Sequence, residues 1–320
     1  MGRTLLASMV VTLLFCTAPA DAVWAQDATA SDQTPRFKAS VEQVVLYVSV
    51  YNEEGHLVPG LPRERFRVFE DKVEQEITYF GLDDVPSTIG VVMDSSGSMR
   101  GRFDMVNRAT SKFLDNNHPD NELFLIEFKS EVSLEESFTR DPADIRDALD
   151  NMIISGGTAL YDAIFLAVDH AKEGSEPKKA LLVFTDGEDK DSFYKHEELL
   201  DKVREADTQI FIVAFLAEDL EDDGGGLFGV FKGETAKEKV QREIREIAEY
   251  TGGQAFFPQE IGELDALFAQ VASDLRNQYR IAYVPSKGLG DGEWRDVDVV
   301  LQGAREEGLK VRVRKGYYAK

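Results

Sequence analysis

Ile89-Gly90-Val91-Val92-Met93-Asp94-Ser95-Ser96-Gly97-Ser98 runs from an unbroken apolar stretch directly into a carboxylate and hydroxyls. A short apolar run bounded by turn residues reads as a fully buried strand, and a strand apolar on both sides needs cover on both faces. Downstream, Phe103, Val106, Ala109 and Phe113 share a helical face, and Leu123 to Phe128 is the next strand. Ile145 and Leu149 mark a short helix, and Leu160, Ile164, Ala167, Val168 and Ala171 a longer one. The strand Ala180–Phe184, a helix around Leu199 and Val203, and the strand Ile210 to Leu216 continue the alternation. Val240, Ile244, Ile247 and Ala248 place a helix ending at Gly252-Gly253, then a short strand (Gln254 to Phe257) and a helix with Leu264, Leu267, Phe268, Val271 and Leu275. Strands alternating with helices predict an α/β fold, a Rossmann-like, doubly wound, mostly parallel sheet over residues 87–276.

The flanks have a different period. Val44, Leu46, Val48 and Val50 alternate along one strand, Asn52 to Gly55 is turn chemistry, and Phe66, Val68, Ile77 and Tyr79 keep the period of two. After Asn277 the alternation returns in Tyr279, Ile281 and Tyr283, then Val297, Val299 and Leu301, then Val311 and Val313, with Gly288 to Gly292 read as a hairpin-type turn. The economical arrangement pairs an N-terminal β segment (36–86) with a C-terminal one (277–320) as a small β-domain into which the α/β domain is inserted.

In parallel sheets, ligands sit outside the carboxyl ends of the strands. Asp94, Ser96 and Ser98 are spaced i, i+2, i+4, so an extended turn aims all three side chains one way. Gly156-Gly157-Thr158 before a helix and Thr185-Asp186-Gly187 after a strand carry further oxygens. Asp94, Ser96, Ser98, Thr158 and Asp186 together make a hard-oxygen set suited to Mg²⁺ or Mn²⁺ and unsuited to zinc. With few direct carboxylates the cation is under-neutralised, and an Asp or Glu from a partner protein can complete its shell. Such a site binds; it does not react. Helix capping would explain one of these residues, not three with matching distant ones.

These residues resemble the metal-ion-dependent adhesion site of von Willebrand factor type A domains, an Asp-x-Ser-x-Ser loop with a distant Thr and a distant Asp, over residues 87–275. More loosely, the chain looks like the secreted bacterial proteins with a von Willebrand-related domain common in acidobacteria, in which short β segments precede the domain and a segment like Tyr279–Tyr318 follows it. The resemblance implies metal-dependent protein binding or adhesion, with no catalysis, and names no partner.

Arg3 followed by the apolar Leu5–Cys16 and the small-residue sites Ala18-Pro19-Ala20 and Val23-Trp24-Ala25 reads as a signal peptide, residues 1–25, with cleavage favoured after Ala25. Residues 26–35 read as a flexible lead-in. Cleavage would remove Cys16, the only cysteine, and with it any disulfide, Cys-ligated zinc or thiol nucleophile. No later stretch is apolar enough to span a bilayer, so the expected location is secreted or periplasmic. The charge balance is 36 − 59 = −23, which repels phosphate backbones and argues against nucleic acid as a partner.

Other features are weaker. Asp162 follows Thr158 by one turn, which puts it in reach of a metal-supporting role, although a carboxylate is ordinary in a first helical turn; Glu188, Asp189 and Asp191 read as a solvated acidic rim rather than a second cation site. Gly224, Gly226 and Gly229 match a dinucleotide fingerprint by spacing but lack its strand and helix. Asp219, Glu221, Asp223 and Gly224 mimic a calcium loop whose twelfth position is Val230. Leu227, Phe228, Val230 and Phe231 on that loop suit either an outside contact or packing against the β-domain. His56, His118, His170 and His196 show no ligand spacing and are expected at the surface. Two further function classes stay open: a structural or assembly factor of the cell envelope that does not use the metal site, and a metal-dependent hydrolase.

Overall fold

The computed structural model describes residues 42–82, 84–216 and 235–320. The signal peptide, the lead-in, Cys16 and the apolar and acidic positions of 217–234 lie outside the described residues. In chain order the elements are β1 (Val44–Tyr51), β2 (Phe66–Glu70), β3 (Val73–Gln75), β4 (Ile77–Gly81), β5 (Ser87–Asp94), α1 (Phe103–Asp115), β6 (Glu122–Phe128), β7 (Val132–Thr139), α2 (Pro142–Asp150) and α3 (Leu160–Glu173). They continue as β8 (Lys178–Thr185), α4 (His196–Glu205), β9 (Thr208–Ala214), α5 (Ala236–Tyr250), β10 (Gln254–Phe256), α6 (Leu264–Arg276), β11 (Tyr279–Tyr283), β12 (Trp294–Leu301), β13 (Lys310–Arg312) and β14 (Gly316–Tyr318).

The six-stranded sheet has the order β10-β9-β8-β5-β6-β7, and every pairing is parallel except β6 with β7. All eight residues of β5 are buried. One face packs Val91, Met93 and Leu125 against Phe103, Val106 and Phe113 of α1 and Phe268 of α6. The other packs Val92, Phe124 and Ile126 against Ile164, Val168, Leu199, Ile244 and Ile247 of α3, α4 and α5. Gly90 admits that second layer, because a Cβ there would lie 2.2 Å from the Phe124 ring. The edge strand β7 escapes the periodicity argument: its burial pattern contains no fully buried residue, so its sequence carries little apolar alternation.

The flanks form two antiparallel four-stranded sheets, β13-β1-β11-β4 and β14-β12-β2-β3. Strands from opposite ends of the chain alternate in the first sheet and meet at β12 and β2 in the second, as in Leu46 opposite Ile281 and Val68 opposite Val299. Leu46, Val48, Phe66, Val68, Tyr279, Ile281, Val297 and Val299 share one core between the sheets. The expected hairpin at Gly288–Gly292 is corrected: β11 and β12 lie in different sheets. The connection is longer than a hairpin loop, and the amides of Gly290 and Gly292 donate to the Ala319 carbonyl at 3.0 and 2.8 Å, holding the crossover against the C-terminal strand. The helix expected to reach Gly252-Gly253 ends at Tyr250, and Gly252 turns the chain with φ of 76°.

Candidate metal centre

Asp94 is the last residue of β5, where the ladder ends and the chain must leave the sheet. The amide of Ser95 still donates to the carbonyl of Phe128 at the end of β6, 2.8 Å away. Alternation then separates the side chains. Ser95 Oγ turns to Glu127 Oε1 at 2.6 Å, whereas Ser96 stays beside Asp94, its amide donating to Asp94 Oδ1 at 2.8 Å. Ser96 Oγ and Ser98 Oγ are 3.1 Å apart. Ser96 is the N-cap of a short 3-10 turn over Gly97–Gly101, yet its hydroxyl makes no capping hydrogen bond. The capping explanation therefore fails here.

Backbone hydrogen bonds draw the other two loops in. Ser155 N donates to Ser95 O at 2.9 Å and Gly97 N to Gly156 O at 3.0 Å, fastening the Thr158 loop to the Asp94 loop. Gly156 takes φ of 76° to make that turn. The amides of Lys190 and Asp191 donate to Thr158 O at 2.9 and 3.1 Å, fastening it to the loop after β8. Thr158 precedes α3, whose N-cap is Ala159, so its hydroxyl is not a cap. Asp186 enters through its amide, 3.4 Å from Asp94 Oδ2. Hydrogen bonds thus connect all three loops that carry Asp94, Ser96, Ser98, Thr158 and Asp186.

Thr185 is the residue that the sequence reading left without a role. Its hydroxyl donates to Asp94 Oδ2 at 2.9 Å and accepts from Gly187 N at 3.1 Å. Its adjacency to Asp186 on a buried strand end was the available signal, although strand-end threonines are common.

Asp94, Ser96 and Thr158 are buried, Asp186 is half-buried and Ser98 is exposed. Burial pushes the Asp94 carboxyl up to about 6, the charge of Asp186 adding to the shift and the hydrogen bonds from Ser96 and Thr185 opposing it. Among the described residues no Lys, Arg or His forms an ion pair with Asp94 or Asp186. A buried carboxylate without a counter-charge is costly, and hydroxyls beside a second carboxylate are the surroundings a hard cation would satisfy. The donor set fits such an ion. Among the described residues no group of three or more His, Cys, Asp or Glu side chains is placed to hold one; the candidate centre relies on hydroxyls instead.

The neighbouring acids have other employment. Asp162 accepts the amides of Phe193 and Tyr194, both at 2.9 Å. Asp189 accepts from Tyr161 N and Ser192 Oγ, Asp191 accepts Ser130 Oγ at 2.7 Å, and Glu188 pairs with Lys190 at 3.2 Å. The expectation of surface histidines is corrected for three of the four: only His56 is exposed, while His118, His170 and His196 are half-buried. His170 stacks on Phe138 of β7 with centroids 4.3 Å apart, a contact between elements distant in sequence.

The sequence model of the family described as von Willebrand factor type A domain matches residues 89–188, which run from within β5 to the Asp186 loop. An uncharacterised protein of Synechocystis sp. is 30% identical over 108 residues, 32% of this chain; the chain spans 26% of that relative's length. Among solved structures, proximal thread matrix protein 1 from the mussel byssus is 18% identical with a TM-score of 0.49, over 65% of this chain and 51% of that one. The mussel protein has also been solved with a zinc-occupied MIDAS motif. The conserved hypothetical protein BatB from Bacteroides thetaiotaomicron is 17% identical with a TM-score of 0.45, over 59% of this chain and 98% of that one. The type V pili tip protein Mfa5 from Porphyromonas gingivalis is 19% identical with a TM-score of 0.32, over 33% of this chain and 39% of that one.

Proposed function

Because this chain carries a von Willebrand factor type A domain, we propose that it is an exported, metal-ion-dependent protein-binding or adhesion module and not an enzyme. Asp94, Ser96, Ser98, Thr158 and Asp186 hold one divalent cation, Mg²⁺ or Mn²⁺. Once bound, the cation supplies positive charge and an open position for an Asp or Glu oxygen of a partner protein.

The observation that carries this reading is Asp94: a carboxylate with no exposed surface, hydrogen-bonded on both oxygens and without a cationic partner among the described residues. The chain's own groups do the positioning. Thr185 and the Ser96 amide hold the Asp94 carboxylate at the end of β5, and the exposed Ser98 lies on the solvent side, where an outside ligand would arrive. The loop hydrogen bonds keep Thr158 and Asp186 with it. Export rests on residues 1–25, and among the described residues no helix is long and apolar enough to cross a membrane.

Calorimetric titration with Mn²⁺ and Mg²⁺, with Zn²⁺ as a comparison, tests the site. Saturable Mn²⁺ or Mg²⁺ binding by the wild type that is lost in Asp94→Ala, and weakened about tenfold or more in Ser96→Ala, is the expected result. Equal binding by wild type and Asp94→Ala overturns the reading.

A further inference from the structure

The two most exposed large apolar side chains among the described residues are Phe193, 84% exposed, and Ile153, 73% exposed; the next, Val73, is 49% exposed. Both stand on loops of the candidate metal centre. Ile153 lies two residues before Ser155, whose amide is bonded to Ser95 O. Phe193 lies two residues after Asp191, whose amide is bonded to Thr158 O. Two residues of chain reach about 7 Å, so each side chain arises within that distance of backbone fastened to the site.

Neither projects by accident of a loose loop. Met152 and Ile154, on either side of Ile153, pack into the core under α1, α2 and α6, and Arg100 donates to Ile154 O at 3.3 Å. Phe193 and Tyr194 are held by their amides on Asp162, and the Tyr194 ring stacks on Phe165 of α3 with centroids 4.0 Å apart. Phe165 belongs to the core on the opposite face of the sheet. The two exposed side chains therefore rise from segments anchored to the cores on opposite faces of the sheet, each on a loop whose backbone is bonded to the loops of the candidate centre. Exposed apolar groups on a fixed backbone suit contact, because little ordering remains to be lost on binding.

We infer that Ile153 and Phe193 form an apolar rim to the cation site, and that the partner fits it with an extended segment whose Asp or Glu is flanked by apolar side chains. The carboxylate answers the cation, and the flanking residues cover Ile153 and Phe193. This rests on the cation-bridging reading above.

The test uses two blocked synthetic peptides, Leu-Phe-Asp-Leu-Phe and Ser-Ser-Asp-Ser-Ser, titrated into the Mn²⁺-loaded protein and again in chelator. The apolar-flanked peptide is expected to bind about tenfold more tightly than the serine-flanked one, only with Mn²⁺. Phe193→Ser and Ile153→Ser each reduce that preference to about threefold or less while Mn²⁺ affinity stays unchanged. Equal binding of the two peptides overturns the rim and leaves cation bridging standing. Peptide binding indifferent to chelator overturns cation bridging itself. Self-association in sedimentation that disappears in Phe193→Ser assigns the rim to a second copy of the chain and also overturns the inference.

Discussion

The phenol of Tyr51 donates a 2.6 Å hydrogen bond to Asp274 Oδ2, joining the first strand of the β-sandwich to the last helix of the α/β layer across 223 positions of sequence. Arg312 of β13 pairs with the same oxygen at 2.8 Å, and its guanidinium lies over the Tyr51 ring, 4.5 Å from the centroid. Asp274 has no exposed surface. Burial raises its carboxyl, and Arg312 opposes the shift.

Tyr51→Phe removes one of those two donors and is expected to cost about 1–3 kcal/mol. Asp274→Ala leaves a largely buried guanidinium without its counter-charge and is expected to cost about 3–5 kcal/mol. Urea denaturation read by fluorescence measures both. Costs within error of zero for Asp274→Ala would mean that the two layers are held together without this pair.

Asp94→Asn should stabilise the metal-free protein at neutral pH. With its folded-state value raised to about 6 against an ordinary 3.8, the group favours folding while protonated, and that contribution is lost as pH rises from about 4 through 6. At pH 7 the variant is expected to gain about 1–3 kcal/mol, with little gain at pH 4, and to lose any Mn²⁺-dependent rise in Tm. Thermal melts at both pH values, with and without Mn²⁺, check this. A variant less stable than wild type at pH 7 in chelator would show that the ionised carboxylate is satisfied by the protein alone.

Lys178 titrates in the opposite sense. Burial pushes its amine down to about 7, although Asp84 and Asp274 pull it upward; it donates to Leu275 O, and Nζ lies 5.0 Å from the Tyr47 ring centroid. A depressed lysine leaves the unfolded chain holding the extra proton between about pH 7 and the ordinary 10.5, so stability rises with pH across that window. Lys178→Met is expected to flatten that rise and to be the more stable protein at pH 6. Parallel slopes for the two proteins between pH 7 and 9 would count against a buried charge at this position.

Gly90→Ala tests the tightness of the central strand. The new Cβ would meet the Phe124 ring at 2.2 Å and Leu181 at 2.7 Å, both buried side chains with no room to retreat. Overpacking of this kind is expected to cost about 1–3 kcal/mol, read as a lower midpoint in urea. An unchanged midpoint would mean that Phe124 has a free rotamer to adopt.

The parallel sheet was legible because β5, β8 and β9 are apolar on both sides, and a strand covered on both faces advertises itself in composition. The candidate residues Asp94, Ser96 and Ser98 were legible because the turn at the end of β5 repeats oxygen side chains at i, i+2 and i+4, a local spacing. The same reasoning failed at β7, whose edge position leaves only Val132, Leu134 and Phe138 among polar residues, and at Gly288–Gly292, where a turn's composition does not record whether the chain returns to its own sheet.

By itself the sequence determined the α/β alternation, the flanking period of two and the candidate ligands Asp94, Ser96, Ser98, Thr158 and Asp186, because each is written in residues close together in the chain or in a spaced pattern of them. Only the tertiary structure decided which strands pair across the sandwich, that Thr185 meets Asp94 from 91 positions away, that Asp274 and Lys178 are buried where the two layers join, and that Ile153 and Phe193 face outward beside the site. These depend on packing between elements distant in sequence, where burial and the direction of a side chain are set by what the rest of the chain brings against it.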